Sequence, residues 1–150
     1  MRAAVDIAAA AARPRQIPIE LDAAADLPAV RVDAIQVEQV VLNLLLNAIE
    51  ATTLPARGTI TVSTARYGAD AVEVCVRDRG IGIDPTVADR IFEPFLTTKP
   101  NGLGMGLAIS RSIVAAHGGQ IWAMPETPRG TVFRFTLPTA AAAPGDIQNR

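Results

Sequence analysis

Residues 78–110 read DRGIGIDPTVADRIFEPFLTTKPNGLGMGLAIS and hold five of the chain's eleven glycines. Glycine weakens helices and strands, so such a cluster requires a local reason, either tight turns or the close approach of backbone to a ligand. Asp78 follows the alternating run AVEVCVR and precedes Gly80 and Gly82. A carboxylate at a strand end, beside backbone freed of side chains, suits the amino group of a flat heterocycle. DRGIGID by itself also reads as a plain turn with Asp as turn former. The second cluster, Gly102, Gly104 and Gly106, runs directly into LAISRSIVAAH, a helical pattern. N–H groups at a helix start, approached by glycine backbone, form an anion site suited to phosphates. Neither the Walker pattern GxxxxGK[ST] nor a good dinucleotide-binding fingerprint is present, since the spacing is GxGxG and TTKP stands where a strand should be. Lys99, just upstream, is a point charge able to reach a phosphate, although taken alone it reads as an ordinary surface lysine.

Working outward, Asp33 is the expected N-cap of a helix from Ala34 to about Ala51. At about 100 degrees per residue, Gln36, Gln39, Asn43, Asn47 and Glu50 fall within roughly 80 degrees of arc on this helix. Apart from Glu38, the remainder of the helix from Val37 to Ala51 is Val, Leu, Ile or Ala. Amides one turn apart on an apolar helix suit a half-buried cleft, where Asn offers a neutral oxygen to a hard cation and an NH₂ to phosphate oxygens. Hydrogen bonding of these amides to neighbouring backbone is the alternative.

Period-two alternation predicts strands at IPIELD, AVRVD, GTITVSTAR, AVEVCVRD, GQIWAM and TVFRFTLP, with YGAD and PETPRG as turns. A short helical piece is expected around Val87–Ile91, and a second long helix from about Met105 to His117, ended by Gly118 and Gly119. The fold class is therefore α/β, a two-layer sandwich with a mixed, mostly antiparallel sheet and helices on one face. The alanine-rich start MRAAVDIAAAAARPRQ carries Asp6 within its apolar part and reads as the tail of an incoming helix rather than a signal peptide. The tail TAAAAPGDIQNR is expected to be disordered.

The composition is 49% hydrophobic and 19% charged with a net charge of -1, which gives no basic footprint for a nucleic-acid partner. A single Cys75 excludes an internal disulfide and fits a reducing, cytoplasmic setting. No thiol chemistry is indicated for this strand residue. VVLNLLLNAI is too short and too polar to span a bilayer. Trp122, Phe133 and Phe135 read as sheet packing. His117, in the last turn of its helix, reads as a capping residue.

In this order the segments resemble the catalytic and ATP-binding domain of bacterial sensor histidine kinases, within the wider superfamily of gyrase, heat-shock chaperone and mismatch-repair ATPases. QVVLNLLLNAIEA is similar to the N box, DRGIGID to the G1 box, RIFEPFLTTK to the F box and NGLGMGLAIS to the G2 box. The resemblance spans about residues 17 to 138, and FEPFLTTKPNGLGMGLAISRSIVAAHGGQIW is similar to the subgroup of oxygen-sensing and nitrogen-regulatory kinases. It implies the Bergerat ATP-binding fold, with residues 1–16 left from an upstream dimerisation domain and 139–150 as a tail. It implies ATP and Mg²⁺ as ligands, with Asn47 on the metal and Asn43 at the phosphate and metal region. Asp78 would receive the adenine amino group, with Gly80, Gly82 and Ile83 along the base. Residues from about Asp84 to Leu103 would form a mobile lid anchored by Phe92 and Phe95, with Lys99 reaching the phosphates. Gly102, Leu103, Gly104, Met105, Gly106 and Leu107 would form the lid hinge and the phosphate site.

In hydrolytic members of the superfamily a glutamate precedes the magnesium asparagine by one turn; here that position is Asn43, which cannot serve as a general base. The implied activity is therefore phosphoryl transfer to a histidine on a separate dimerising domain, and onward to a response regulator, with the chain itself monomeric. Two other readings are an anti-sigma-type serine kinase and a nucleotide-gated interaction module without chemistry.

Overall fold

The computed structural model describes residues 1–52, 58–96 and 104–142. The alternating segments form one five-stranded sheet of β1 (Ile19–Ala23), β2 (Ile60–Tyr67), β3 (Ala71–Asp78), β4 (Ile121–Pro125) and β5 (Thr131–Pro138). Their order across the sheet is β1-β2-β3-β5-β4. β1 runs parallel to β2 and every other neighbouring pair is antiparallel, so the sheet is mixed and mostly antiparallel. The register sets Val62 opposite Val76, Val76 opposite Phe133, and Phe133 opposite Ala123. Because side chains alternate between faces, this row and its period-two neighbours form one apolar surface.

Three helices cover that surface: α1 (Arg2–Ala12), α2 (Ala34–Ala51) and α3 (Gly106–Ala116). Val40, Val41, Leu44 and Leu45 of α2 are fully buried, in one cluster with Ile60, Val62, Val74, Val76 and Phe135 from the sheet and Val114 from α3. Removing this surface from water is the main favourable contribution to folding. α1 adds Ala4, Val5, Ala8 and Ala12 to the same core, small side chains that let it lie close to α2. The Met1 amine meets Glu38 at 2.7 Å and Arg15 Nη1 donates to the Ile49 carbonyl at 3.1 Å, so α1 and α2 run side by side in the same direction. On the opposite face of the sheet, Ser63, Cys75, Arg134 and Trp122 lie in one row, and Arg134 pairs with Glu73 at 2.7 Å.

α2 has the expected bounds, and Asp33 Oδ1 caps it by accepting from the Gln36 N–H at 3.1 Å. The run AVRVD differs from expectation: it contributes a single bridge, Val30 to Thr139, and no strand. With Pro28 before it and the α2 cap at Asp33 after it, only a few residues are free to pair. The helical piece near Val87 is one 3-10 turn, Ala88–Arg90. Of the tail, Thr139–Ala142 are described, and Thr139 is buried with its N–H on the Asp70 carbonyl.

Candidate functional site

Asp78 ends β3 and is 2% exposed. Its Oδ1 accepts the Gly80 N–H at 2.8 Å. Burial pushes its carboxyl above the usual range, and backbone hydrogen bonds from Gly80 and Thr131 offset only part of that effect. The loop that follows is held against the end of α2: the Ile81 N–H donates to the Ala51 carbonyl at 2.9 Å, and a methyl group at Gly80 would overlap that same carbonyl. Gly80 is thus glycine for close packing. Gly82 has φ +80, a backbone conformation that favours glycine, and a Cβ there would meet the Gly130 carbonyl at 3.5 Å, an ordinary contact. Ile83 is partly buried against the core.

The amide stripe of α2 divides by burial. Gln36, Gln39 and Glu50 are exposed, whereas Asn43 and Asn47 are half-buried. Asn43 Nδ2 donates to the Gly106 carbonyl and to Ser110 Oγ, each at 3.3 Å, and so ties α2 to the first turn of α3. At this position the amide NH₂ bonds to neighbouring groups, as in the alternative reading, and the residue sits beside the start of α3. Met105 occupies the N-cap of α3 without a side-chain cap, and Met105, Gly106 and Leu107 are half-exposed. N–H groups at a helix start whose N-cap side chain makes no hydrogen bond to them are suited to an anion.

Between the two ends, Phe92 packs edge-on against Phe133 with ring centroids 6.3 Å apart. Phe95 differs from the expected anchor: it is 75% exposed with φ 64, so burial of its ring holds nothing in place. Its backbone does the holding, since the Phe95 N–H donates to the Gly104 carbonyl at 3.0 Å. A Cβ at Gly104, where φ is +69, would stand 2.6 Å from the Phe95 carbonyl carbon, so this approach requires glycine. Lys99, Gly102 and Leu103 lie outside the described residues.

Three contributors escaped the sequence reading. Ser110 is fully buried beside Asn43. Gly130 is packed so closely on the Asp78 carbonyl that a side chain there would overlap it. Arg129 Nε donates to the Gly80 carbonyl at 2.8 Å. The glycine of PETPRG was a usable signal for a close approach, whereas nothing local marks Arg129 or Ser110. His117 is confirmed as a capping residue and does more: Nδ1 lies 2.8 Å from the Ile113 carbonyl while Nε2 accepts the Asp33 N–H at 3.0 Å, joining the end of α3 to the start of α2. Among the described residues no group of three or more His, Cys, Asp and Glu is placed to hold a metal. The neutral oxygens of Asn43 and Asn47 fit an ion that keeps water and takes phosphate oxygens for its remaining ligands.

The loop after Asp78 meets the end of α2, and Asn43 of the same helix meets the start of α3; comparison with known proteins gives this arrangement its class. The chain belongs to the family described as histidine kinase-, DNA gyrase B-, and HSP90-like ATPase, whose profile matches residues 32–141. It is 42% identical over 137 residues to sensor protein FixL of Bradyrhizobium diazoefficiens, covering 91% of this chain and 27% of that protein. It is 38% identical to sporulation kinase E of Bacillus subtilis, covering 92% of this chain and 18% of that protein. The chain therefore spans about a quarter or less of these relatives. Among solved structures, the catalytic domain of histidine kinase ThkA superposes with a TM-score of 0.79 at 32% identity, covering 92% of this chain and 90% of that one. Full-length ShkA in complex with AMPPNP superposes at 0.82 with 31% identity, covering 95% of this chain and 30% of that one. The chain is an ATP-binding catalytic domain of the sensor histidine kinase kind.

Proposed function

We propose that this domain binds Mg-ATP and transfers the γ-phosphoryl group to a histidine on a dimerising helical hairpin outside residues 17–138, from which it passes to a response regulator. The observation that carries the reading is the placement of a buried acceptor, Asp78, beside the end of α2, with the half-buried amides Asn43 and Asn47 and the start of α3 farther along the same helix. Asp78 accepts from the adenine amino group, with Gly80, Gly82 and Ile83 along the base. The start of α3, Met105 to Leu107, receives phosphate oxygens, with Gly102, Leu103, Gly104 and Lys99 completing that end. Phe92 holds the intervening segment to the core, and Phe95 borders its junction with Gly104. Asn47 holds magnesium, which when bound supplies charge neutralisation at the phosphates.

Asn43 stands where a water-activating carboxylate would be needed, so ATP is held for transfer rather than hydrolysed. Both ring nitrogens of His117 are engaged in hydrogen bonds, which supports a structural role for it and a phosphoacceptor elsewhere. α1 represents the connection to that hairpin, and residues 139–150 the tail. No helix among the described residues is long and apolar enough to cross a membrane. A cytoplasmic, monomeric domain is the form proposed.

The test is transfer in trans. The domain is mixed with ATP labelled at the γ position, magnesium and a purified histidine hairpin from a sensor kinase. Label is expected on the hairpin and absent when its histidine is replaced, with little label released as free phosphate. Label released to water at the rate seen with hydrolytic relatives, or no transfer by a domain that binds ATP, would overturn the catalytic reading.

A further inference from the structure

The peptide unit joining Gly80 to Ile81 is held at both ends by different elements. Its N–H, on Ile81, donates to the Ala51 carbonyl at the end of α2 at 2.9 Å. Its carbonyl, on Gly80, accepts from Arg129 Nε at 2.8 Å, a contact between residues 49 apart in sequence. The donor comes from the turn between β4 and β5, which is itself fixed. The Glu126 N–H bonds to the Gly130 carbonyl at 3.1 Å, and Arg77 Nε lies 2.7 Å from Glu126 Oε2, a charge contact without hydrogen-bond alignment. Gly130 then packs directly on the Asp78 carbonyl.

The same Gly80 residue donates its own N–H to Asp78 Oδ1. Displacement of the Gly80–Ile81 peptide would shift the Gly80 Cα and, through it, the adjoining Arg79–Gly80 peptide whose N–H orients the carboxylate. A charged donor makes a stronger hydrogen bond to a carbonyl than a neutral one, and its fixed planar geometry makes it directional.

We infer that Arg129 is a positioning residue for the base end of the site: its bond to the Gly80 carbonyl locks the loop so that the Asp78 carboxylate is held in the orientation that meets the exocyclic amine of adenine. The inference rests on the reading of Asp78 as the acceptor of that amine. Arg129 touches no nucleotide atom in this scheme and acts through Gly80.

The test measures the affinity of the domain, with magnesium, for ATP and for inosine triphosphate, which lacks the exocyclic amine. Wild type, Arg129→Ala, Arg129→Met, Arg129→Lys and Asp78→Asn are compared, with circular dichroism to verify folding. Arg129→Ala is expected to weaken ATP binding about three- to tenfold, the usual worth of one hydrogen bond. Inosine triphosphate binding is expected to be unchanged, so the preference for ATP narrows by the same factor. Arg129→Lys, which keeps a cationic donor, retains part of the preference. Arg129→Met keeps the stem, deletes the donor and carries the same test if the alanine variant does not fold. Equal losses for both nucleotides, or an unchanged preference, would overturn the positioning role while leaving the Asp78 reading standing. A wild type without preference for ATP, or a preference that survives Asp78→Asn, would overturn the Asp78 reading and the inference together.

Discussion

A carboxylate buried as deeply as Asp78 is retained at a cost. Its folded-state carboxyl lies above the ordinary range because burial outweighs the Gly80 and Thr131 hydrogen bonds. A group raised in this way contributes stability that is fully present below its unfolded value and lost as pH rises through the folded one. At pH above the carboxylate range the raised carboxyl is therefore a burden on the fold. Asp78→Asn keeps the acceptor for Gly80 and removes the charge, so its melting temperature at neutral pH is expected to equal or exceed that of wild type. The difference should shrink as pH falls into the carboxylate range. In the same variant ATP affinity should drop by about 1.5 to 3 kcal/mol, the worth of a hydrogen bond to a charged group. Parallel melts and nucleotide titrations check both, and a destabilised variant with intact ATP binding would refute the assignment. The position of Asp78 at a strand end before a glycine turn was legible because the alternation of AVEVCVR and the two glycines mark it locally. Arg129 and Ser110 were not, because their contacts reach across 49 and 67 residues to partners that no short pattern names. The anchor role of Phe95 came from the family resemblance and not from its neighbours in sequence, which include Glu93, Pro94 and Thr97, and its ring is 75% exposed.

Among the elements, α2 is the one whose faces separate most clearly. Leu44 is fully buried and Leu46, two residues on, is 37% exposed. Leu44→Ala is expected to lower unfolding free energy by about 2 to 5 kcal/mol through lost burial and a residual cavity. Leu46→Ala, at the surface, should cost below about 1 kcal/mol. Urea denaturation of the two variants decides it, and similar costs would mean that the helix packs differently. The bounds of α2 were readable because an N-cap and a 3.6-residue period are properties of the segment itself. AVRVD shows the opposite case: alternation marks a residue run fit for a strand, but a strand also needs a partner edge, and Val30 finds only Thr139. β1 found its edge on β2 in parallel, a pairing that no hairpin turn in the sequence could announce.

For the whole molecule, the layer arrangement followed from counting alternating segments against helical ones, while strand order and the placement of α1 against α2 depended on the packed core. That packing gives α2 a metric function. Asn43 meets the first turn of α3, and Ala51 meets the loop after Asp78. The eight-residue interval between them, at 1.5 Å per residue, spans about 12 Å. α2 thus indexes the two ends of the site to each other as a calliper does, in separation and in facing. One residue added or removed within that interval would change the gap by about 1.5 Å and turn one end by about 100 degrees relative to the other. Side chains on the outer face of α2 can be exchanged without disturbing that spacing, whereas any change in the count of residues from Asn43 to Ala51 alters it in both length and facing.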